Sequence, residues 1–204
     1  GTPDEVYHRQ LDKGAKAIGW ERRNPIAGAN AGPLKRGMGC AVGTWGGGGN
    51  NQCKVDVTIG RDGSVTVAVG TQDLGTGTRT FTRAIVAEEL GLQLSDIKEE
   101  IGNSKLGGAN SSGGSTTAAS LSPSVKDGAY KARMLFAEKV APLVDNAKPD
   151  EITFAGGKVS GKGKTITWKQ ACAALPSAGI TAHGEWRSDL QATGIHGAAF
   201  AEVE

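Results

Sequence analysis

The spacing of apolar and polar positions divides the chain into alternating helix-like and strand-like stretches. Over residues 3–19, Val6, Leu11, Ala15 and Ile18 fall near helical spacing behind Pro3-Asp4-Glu5, which predicts a helix ended by Gly19. Residues 20–36, with Pro25, Pro33 and the basic pairs Arg22-Arg23 and Lys35-Arg36, read as a loop. From Gly37 to Val69 the period becomes two. Met38–Trp45 and Cys53–Ile59 read as strands, and Arg61-Asp62-Gly63-Ser64 reads as a hairpin turn. Val65–Val69 then returns antiparallel, so a β-meander is expected to lead into residues 70–82. Thr76–Leu90 reads as a helix capped by Gly91, and Ile97–Ile101 as a strand.

From Ser115 or Thr116 a long helical stripe (Val125, Ala129, Ala132, Leu135, Phe136, Val140, Leu143) runs toward Val144. Pro123 is expected to break it, leaving the Ser/Thr run as a separate first turn. Beyond Pro149 the pattern turns to short strands: Glu151–Phe154 and Lys158-Val159 around Ala155-Gly156-Gly157, then Lys164–Thr167. A short helix, Trp168–Leu175, stops at Pro176, Ile180–Trp186 alternates, and Gly194–Glu204 is strand-like to the last residue. The fold expected is α+β, antiparallel sheets packed on helices in two lobes. The composition shifts divide the chain into a helix and linker (1–36), a central lobe (37–148) and a second β-rich lobe (149–204). A chain ending in mid-pattern is expected to be a fragment.

Composition narrows the function classes. The 204 residues carry a net charge of +2, from 23 basic and 21 acidic side chains, with no clustered basic face for nucleic acid. No apolar run approaches the ~20 residues of a membrane span. Glycine is the outlier at 32 residues, clustered at 28–49, 70–77, 102–114 and 156–163, which points to backbone in unusual conformations or backbone approached closely by something else. Cys40, Cys53 and Cys172 are too widely spaced for a zinc site and odd in number, so they read as buried thiols in a reducing compartment. His8, His183 and His196 are isolated and show no metal-ligand spacing.

Two Gly/Ser/Thr-rich loops remain as candidate chemistry. Gly70-Thr71-Gln72-Asp73-Leu74-Gly75-Thr76-Gly77 follows a strand and opens a helix, the geometry in which free N–H groups hold an anion. It fails the dinucleotide fingerprint at Thr80. Gly113–Ser122 similarly places hydroxyls and amides at a helix start, where capping by Ser115 or Thr116 is the plainer reading. Gly157–Thr165 has Lys158 where a phosphate-binding loop requires Gly, so a basic β-turn is expected there. Glu88-Glu89 and Glu99-Glu100 read as solvated, and no catalytic constellation stands out.

The two loops, together with Arg36–Trp45 and Gly197–Glu204, resemble in order the molybdenum-cofactor-binding large subunit of the xanthine dehydrogenase / aldehyde oxidase family, in its bacterial aldehyde-oxidase-like branch. The resemblance implies a piece of a molybdenum hydroxylase that oxidises aldehydes or N-heterocycles with water as the oxygen source. It implies a molybdenum–molybdopterin cofactor, in mononucleotide form or as the cytosine dinucleotide. In that family the first loop carries Gly-Gln-Gly against the cofactor. Gly75 and Gly77 match, Thr76 replaces the Gln, and Leu74 precedes them. The second loop, which wraps the phosphate, maps onto Ser115, Thr116, Thr117, Ala119, Ser120, Leu121 and Ser122. No catalytic or metal-ligating residue carries over, since the family's catalytic Glu has no counterpart, and the fragment is expected to be inactive alone. The partners implied are the remainder of the large subunit and iron–sulfur and FAD subunits, in the cytoplasm or exported with a partner. The alternative is a stand-alone or degenerate cofactor-binding domain without catalysis.

Overall fold

The computed structural model describes residues 3–191 and 194–204. In chain order its elements begin with α1 (Pro3–Ile18), β1 (Gly37–Trp45), β2 (Val55–Ile59), β3 (Val65–Ala68), α2 (Thr78–Leu90) and β4 (Ile97–Glu100). There follow α3 (Thr117–Val140), β5 (Thr153–Ala155), β6 (Lys158–Gly161), β7 (Lys164–Thr167), α4 (Trp168–Cys172), β8 (Ile180–Gly184) and β9 (Ile195–Val203). The expected α+β class is what forms.

Strand pairing, not composition, defines the compact units: residues 1–47 with 194–204, and residues 48–193. The composition-based division at 36/37 and 148/149 does not follow this pairing. β1 pairs with β9 from Gly37↔Val203 to Trp45↔Ile195, and so belongs with the C-terminal strand. The expected meander loses its first strand for that reason. In this unit α1 lies on one face of the ribbon, and a Cβ on Gly14 would overlap the Phe200 ring. Trp20 meets the same ring edge-on at 5.7 Å. The opposite ribbon face (Gly37, Gly39, Ala41, Gly43 and Trp45 with Ile195, Gly197, Ala199, Ala201 and Val203) carries no polar side chain and is exposed.

The second unit is built on a four-stranded sheet in the order β4-β3-β2-β8. Its period-two pattern puts Val55, Val57, Ile59, Val65, Val67, Ile97 and Ala182 on the buried face. Each of these valines and isoleucines contributes roughly 1.5–3 kcal/mol by leaving water. Asp56, Thr58, Thr66 and His183 face out, with Asp56–His183 paired at 2.6 Å and Thr58–Thr181 at 2.9 Å. β2 is antiparallel to β3 and β8, but β3 and β4 are parallel. The sheet is therefore mixed where only antiparallel sheets were expected, and β3–α2–β4 is a crossover unit. In such units the end of the first strand is where ligands gather. The three short strands β5-β6-β7 form a separate sheet, whose Phe154 sits beside Phe136 of α3. The basic segment Gly157–Thr165 is the β6–β7 hairpin, as expected, with Lys162 at φ 46°.

Pro123 does not break α3. The helix runs through it from Thr117 to Val140. A proline withholds the N–H that would bond the carbonyl four residues earlier, here that of Ala119. The Trp186 indole N–H donates to that carbonyl at 3.1 Å and so replaces the lost bond. The segment 48–53 closes over the same turn, where a Cβ on Gly49 would overlap the Ala119 carbonyl and the Asn50 amide donates to Ser120 Oγ at 3.0 Å.

Two further expectations fail. Glu89 is nearly buried, not solvated: it projects from α2 between Lys126 (2.6 Å) and Arg133 (2.8 Å) of α3. Glu99 likewise pairs with Arg79 and Arg83 of α2. Cys53 and Cys172 are buried, and burial pushes the Cys172 thiol up to about 12, but Cys40 is exposed on β1.

Trp186→Phe should cost about 1–3 kcal/mol, because it leaves the part-buried Ala119 carbonyl without its donor. The loss should shrink when Pro123→Ala restores the helical N–H, as read from chemical denaturation of both single variants and the double variant.

Candidate functional site

Both candidate loops lie at one end of the sheet of the second unit. Loop 1, residues 70–77, leaves β3 and enters α2; loop 2, residues 102–116, leaves β4 and enters α3. Backbone bonds hold them side by side: Val69 N to Glu100 O at 3.0 Å, Gly102 N to Thr71 O at 2.7 Å, and Gly70 N to Gly107 O at 2.9 Å. Lys54 N bonds Gly108 O at 2.8 Å and ties loop 2 to the approach of β2.

Loop 1 fills its own anion site. The Asp73 carboxylate accepts from Gly75 N at 2.9 Å and from Arg79 N at 3.1 Å. Hydrogen bonds from the Arg79, Gly75, Thr78 and Thr76 amides, that of Arg79 foremost, hold its pKa below the ordinary carboxylate range. The amides expected to cradle a ligand are thus committed to the loop itself. Gly75 (φ 93°) and Gly77 (φ 80°) supply the left-handed turns that bring those amides around. The space where a Cβ would stand on either residue is open to at least 4 Å, so a large group can lie against this backbone. Leu74 is exposed, and Thr76 Oγ1 lies 3.4 Å from Thr78 Oγ1.

Loop 2 has the opposite electrostatics. Thr116 stands at the N-cap of α3 but makes no capping bond. Its hydroxyl donates backward to Gly113 O at 2.9 Å and accepts from Asn110 Nδ2 at 3.0 Å. The expected capping by Ser115 or Thr116 is therefore absent. Ser115 takes φ 59° and is exposed, which turns the chain into the helix. The first amides of any helix lack intrahelical partners, and those of α3, at Thr117, Ala118 and Ala119, receive no side-chain cap. Asn110, 3% exposed, holds the loop from inside: it accepts from Cys53 Sγ at 3.2 Å and donates to Ser111 O at 2.8 Å.

Of the residues expected in loop 2, Thr117 and Ser122 are half-buried at the helix start. Ala119 gives its carbonyl to Trp186. Ser120 and Leu121 are fully buried, Ser120 bonded to the Asn50 amide and Leu121 in the core. Their side chains anchor the helix and do not reach its open end. The sequence reading missed Gln72, Ser112 and Asn110. Gln72 Nε2 donates to Ser112 Oγ across the two loops, and Thr117 Oγ1 lies 3.1 Å from the same oxygen. Their only sequence signal is position, beside the glycines of each loop. A cavity of about 230 Å³, lined by Asn51, Cys53, Lys54, Glu185 and Trp186, also belongs to this unit. Among the described residues no group of His, Cys, Asp or Glu could hold a metal ion, and no helix is long and apolar enough to cross a membrane.

The chain as a whole matches a known family. The family model described as "Molybdopterin cofactor-binding domain" matches residues 13–204. This chain belongs to the molybdopterin cofactor-binding domain family. Within that family it is similar to the aldehyde oxidoreductase molybdenum-binding subunit PaoC of Escherichia coli K12, 31% identical over 167 residues, 80% of this chain and 22% of PaoC. It is also similar to the xanthine dehydrogenase molybdenum-binding subunit of Escherichia coli O157:H7, 32% identical over 95 residues, 43% of this chain and 12% of the relative. The molybdopterin-binding-domain chain thus spans about a fifth of the length of PaoC. Among solved structures, the CO dehydrogenase of Oligotropha carboxidovorans (TM-score 0.68, 21% identical, 98% of this chain and 26% of that one) shares the fold. So does the quinoline 2-oxidoreductase of Pseudomonas putida 86 (TM-score 0.64, 21% identical, 98% and 27%).

Asp73→Ala should leave the α2 amides unsatisfied. Hydrogen exchange at Gly75 and Arg79 should then accelerate, while core amides of β2 keep their protection. Because folding lowers the Asp73 pKa, its contribution is present above the unfolded value of about 3.9 and is lost as pH falls through the folded value. Exchange at the same two amides in the unsubstituted chain, corrected for the intrinsic pH dependence, should show that loss only in the acid range.

Proposed function

We propose that this chain is the part of a molybdenum-binding subunit that grips the phosphate end of the molybdopterin cofactor. We propose further that the intact protein is a molybdenum-dependent oxidoreductase acting on aldehydes or N-heterocycles, with water as the oxygen source. The observation that carries the reading is the contrast between the two helix starts. α2 is sealed by Asp73, whereas α3 presents uncapped amides and hydroxyls with no acid among them. Such a donor set fits a phosphate, or the pyrophosphate of the cytosine dinucleotide form, and repels nothing it carries.

In this reading the amides of Thr117, Ala118 and Ala119, with the hydroxyls of Ser115, Thr117 and Ser122, hold the phosphate. The backbone of Leu74, Gly75, Thr76 and Gly77 forms the wall against which the pterin lies. Ser120 and Leu121 contribute by being buried, so that the amides are fixed in direction before any ligand arrives. When bound, the cofactor supplies the molybdenum centre at which the substrate is oxidised. The one carboxylate in loop 1, Asp73, is committed to backbone amides, so proton transfer at the substrate falls to a residue outside these loops. The remainder of the large subunit would supply it. Iron–sulfur and FAD subunits would carry the electrons away, in an assembly placed in the cytoplasm. PaoC and the xanthine dehydrogenase relative, both molybdenum-binding subunits by name, support this reading.

Ala118→Asp tests the grip without disturbing the helix, since an acid in the first turn favours the helix dipole and repels a phosphate. Molybdenum and pterin measured per chain in purified protein should fall at least tenfold, with the melting temperature unchanged or higher. Unchanged molybdenum content would remove α3 from the cofactor site.

A further inference from the structure

The link between the two loops carries an assignment that neither loop shows alone. Ser112 Oγ accepts from the Gln72 side-chain amide and also contacts Thr117 Oγ1 at 3.1 Å. Each hydroxyl has one proton and two acceptor lone pairs, whereas the Gln72 NH₂ only donates. Ser112 and Thr117 together bring two protons, and their mutual contact uses one. Gln72 supplies its own, so one hydroxyl proton is left over. The nearby carbonyls of Ser111 and Gly113 already receive the Thr116 hydroxyl. Among the described residues neither hydroxyl has a further acceptor.

We infer that Ser112 is a further phosphate-contacting residue, and that Gln72 is the positioning residue that keeps a proton of the Ser112–Thr117 pair free for the ligand. The inference rests on the cofactor reading above and extends it to two residues outside the expected set. The direction of the Gln72 amide decides it. With the NH₂ toward Ser112, the hydroxyl is filled as an acceptor and one proton of the pair is left for a ligand. With the carbonyl oxygen there instead, Ser112 would donate inward, Thr117 would donate to Ser112, and no proton would remain.

The test uses inorganic pyrophosphate as the probe, with backbone amide shifts of the isotopically labelled chain as the readout. In the unsubstituted chain pyrophosphate should shift Ser112 and Thr117–Ala119 saturably. Gln72→Glu turns the donor into an acceptor at pH 7 and should weaken binding at least tenfold, about the weight of one hydrogen bond to a charged group, with no change in melting temperature. Relative to the unsubstituted chain at the same pH, that deficit should close as pH falls below about 4.3, where a Glu carboxyl regains a proton to donate. A purely structural role for Gln72 would not produce this pH dependence. Ser112→Ala should show the same loss without it, and carries the test if Gln72→Glu does not fold. Affinity unchanged in both variants, or a Gln72→Glu deficit equal at every pH, overturns the assignment alone. Absence of any shift at residues 112–119 in the unsubstituted chain overturns the cradle reading and this assignment together.

Discussion

The close approach of α3 to the edge strand β8 is the contact on which the rest of the second unit depends. At their crossing a Cβ on Gly128 would come within 3.2 Å of the Gly184 Cα, and a Cβ on Gly184 would overlap the Ser124 carbonyl. Two facing glycines let helix and strand backbones touch, at a distance no side chain permits. Around that seam the polar groups close in order. Buried Asp127 accepts from Glu185 N at 2.9 Å and pairs with Lys131 at 2.7 Å. One residue further on, the Trp186 indole reaches the Ala119 carbonyl that Pro123 left open. The seam fixes α3 along its length, and its N-terminus therefore emerges at one place only, beside loop 1.

The two loops show how the same local motif serves opposite ends. Both are Gly-rich turns from a strand into a helix, and both present a ring of amides. In loop 1 a carboxylate within the chain takes the ring, so the loop is rigid and electrostatically quiet. In loop 2 the side chains that could have capped the helix are spent elsewhere: Thr116 on the Gly113 carbonyl, Ser120 on the Asn50 amide, and Asn110 on Cys53 and Ser111. Each is satisfied, and none faces the helix axis. The open donors of α3 thus come from a loop whose own polar groups are paired inward and hold its shape.

Much of this was legible in the sequence because it was local. The Asp62-Gly63 hairpin, the Gly91 cap of α2 at φ 64° and the period-two strands all follow from short-range chemistry. What escaped was whatever depended on a partner distant in the chain. Pro123 reads as a break because nothing nearby announces that Trp186 will serve the freed carbonyl. Glu89 reads as solvated because Lys126 and Arg133 lie on another helix. Asp73 was visible, yet only the fold of loop 1 shows its carboxylate turned back on the amides. Gln72 and Ser112 had no pattern at all, since their contact joins two loops that the parallel pairing of β3 and β4 brings together.

The β1–β9 ribbon has a consequence for the order in which the molecule can assemble. Gly37 must find Val203, and the chain leaves this unit after Gly47 and re-enters at Gly194, whose N–H bonds back to the Gly46 carbonyl at 3.2 Å. Residues 48–193 are therefore a contiguous insert, able to collapse on their own strands as they leave the ribosome. α1 and β1, by contrast, wait for β9 to be translated. During that interval α1 has no Phe200 to cover Gly14, and β1 presents a Gly/Ala edge without a mate. Closure of so long a loop costs more entropy than any other pairing in the chain. A contiguous segment that has already collapsed offsets part of that cost, because a compact insert leaves β1 and β9 fewer arrangements to search than an open chain of the same length does.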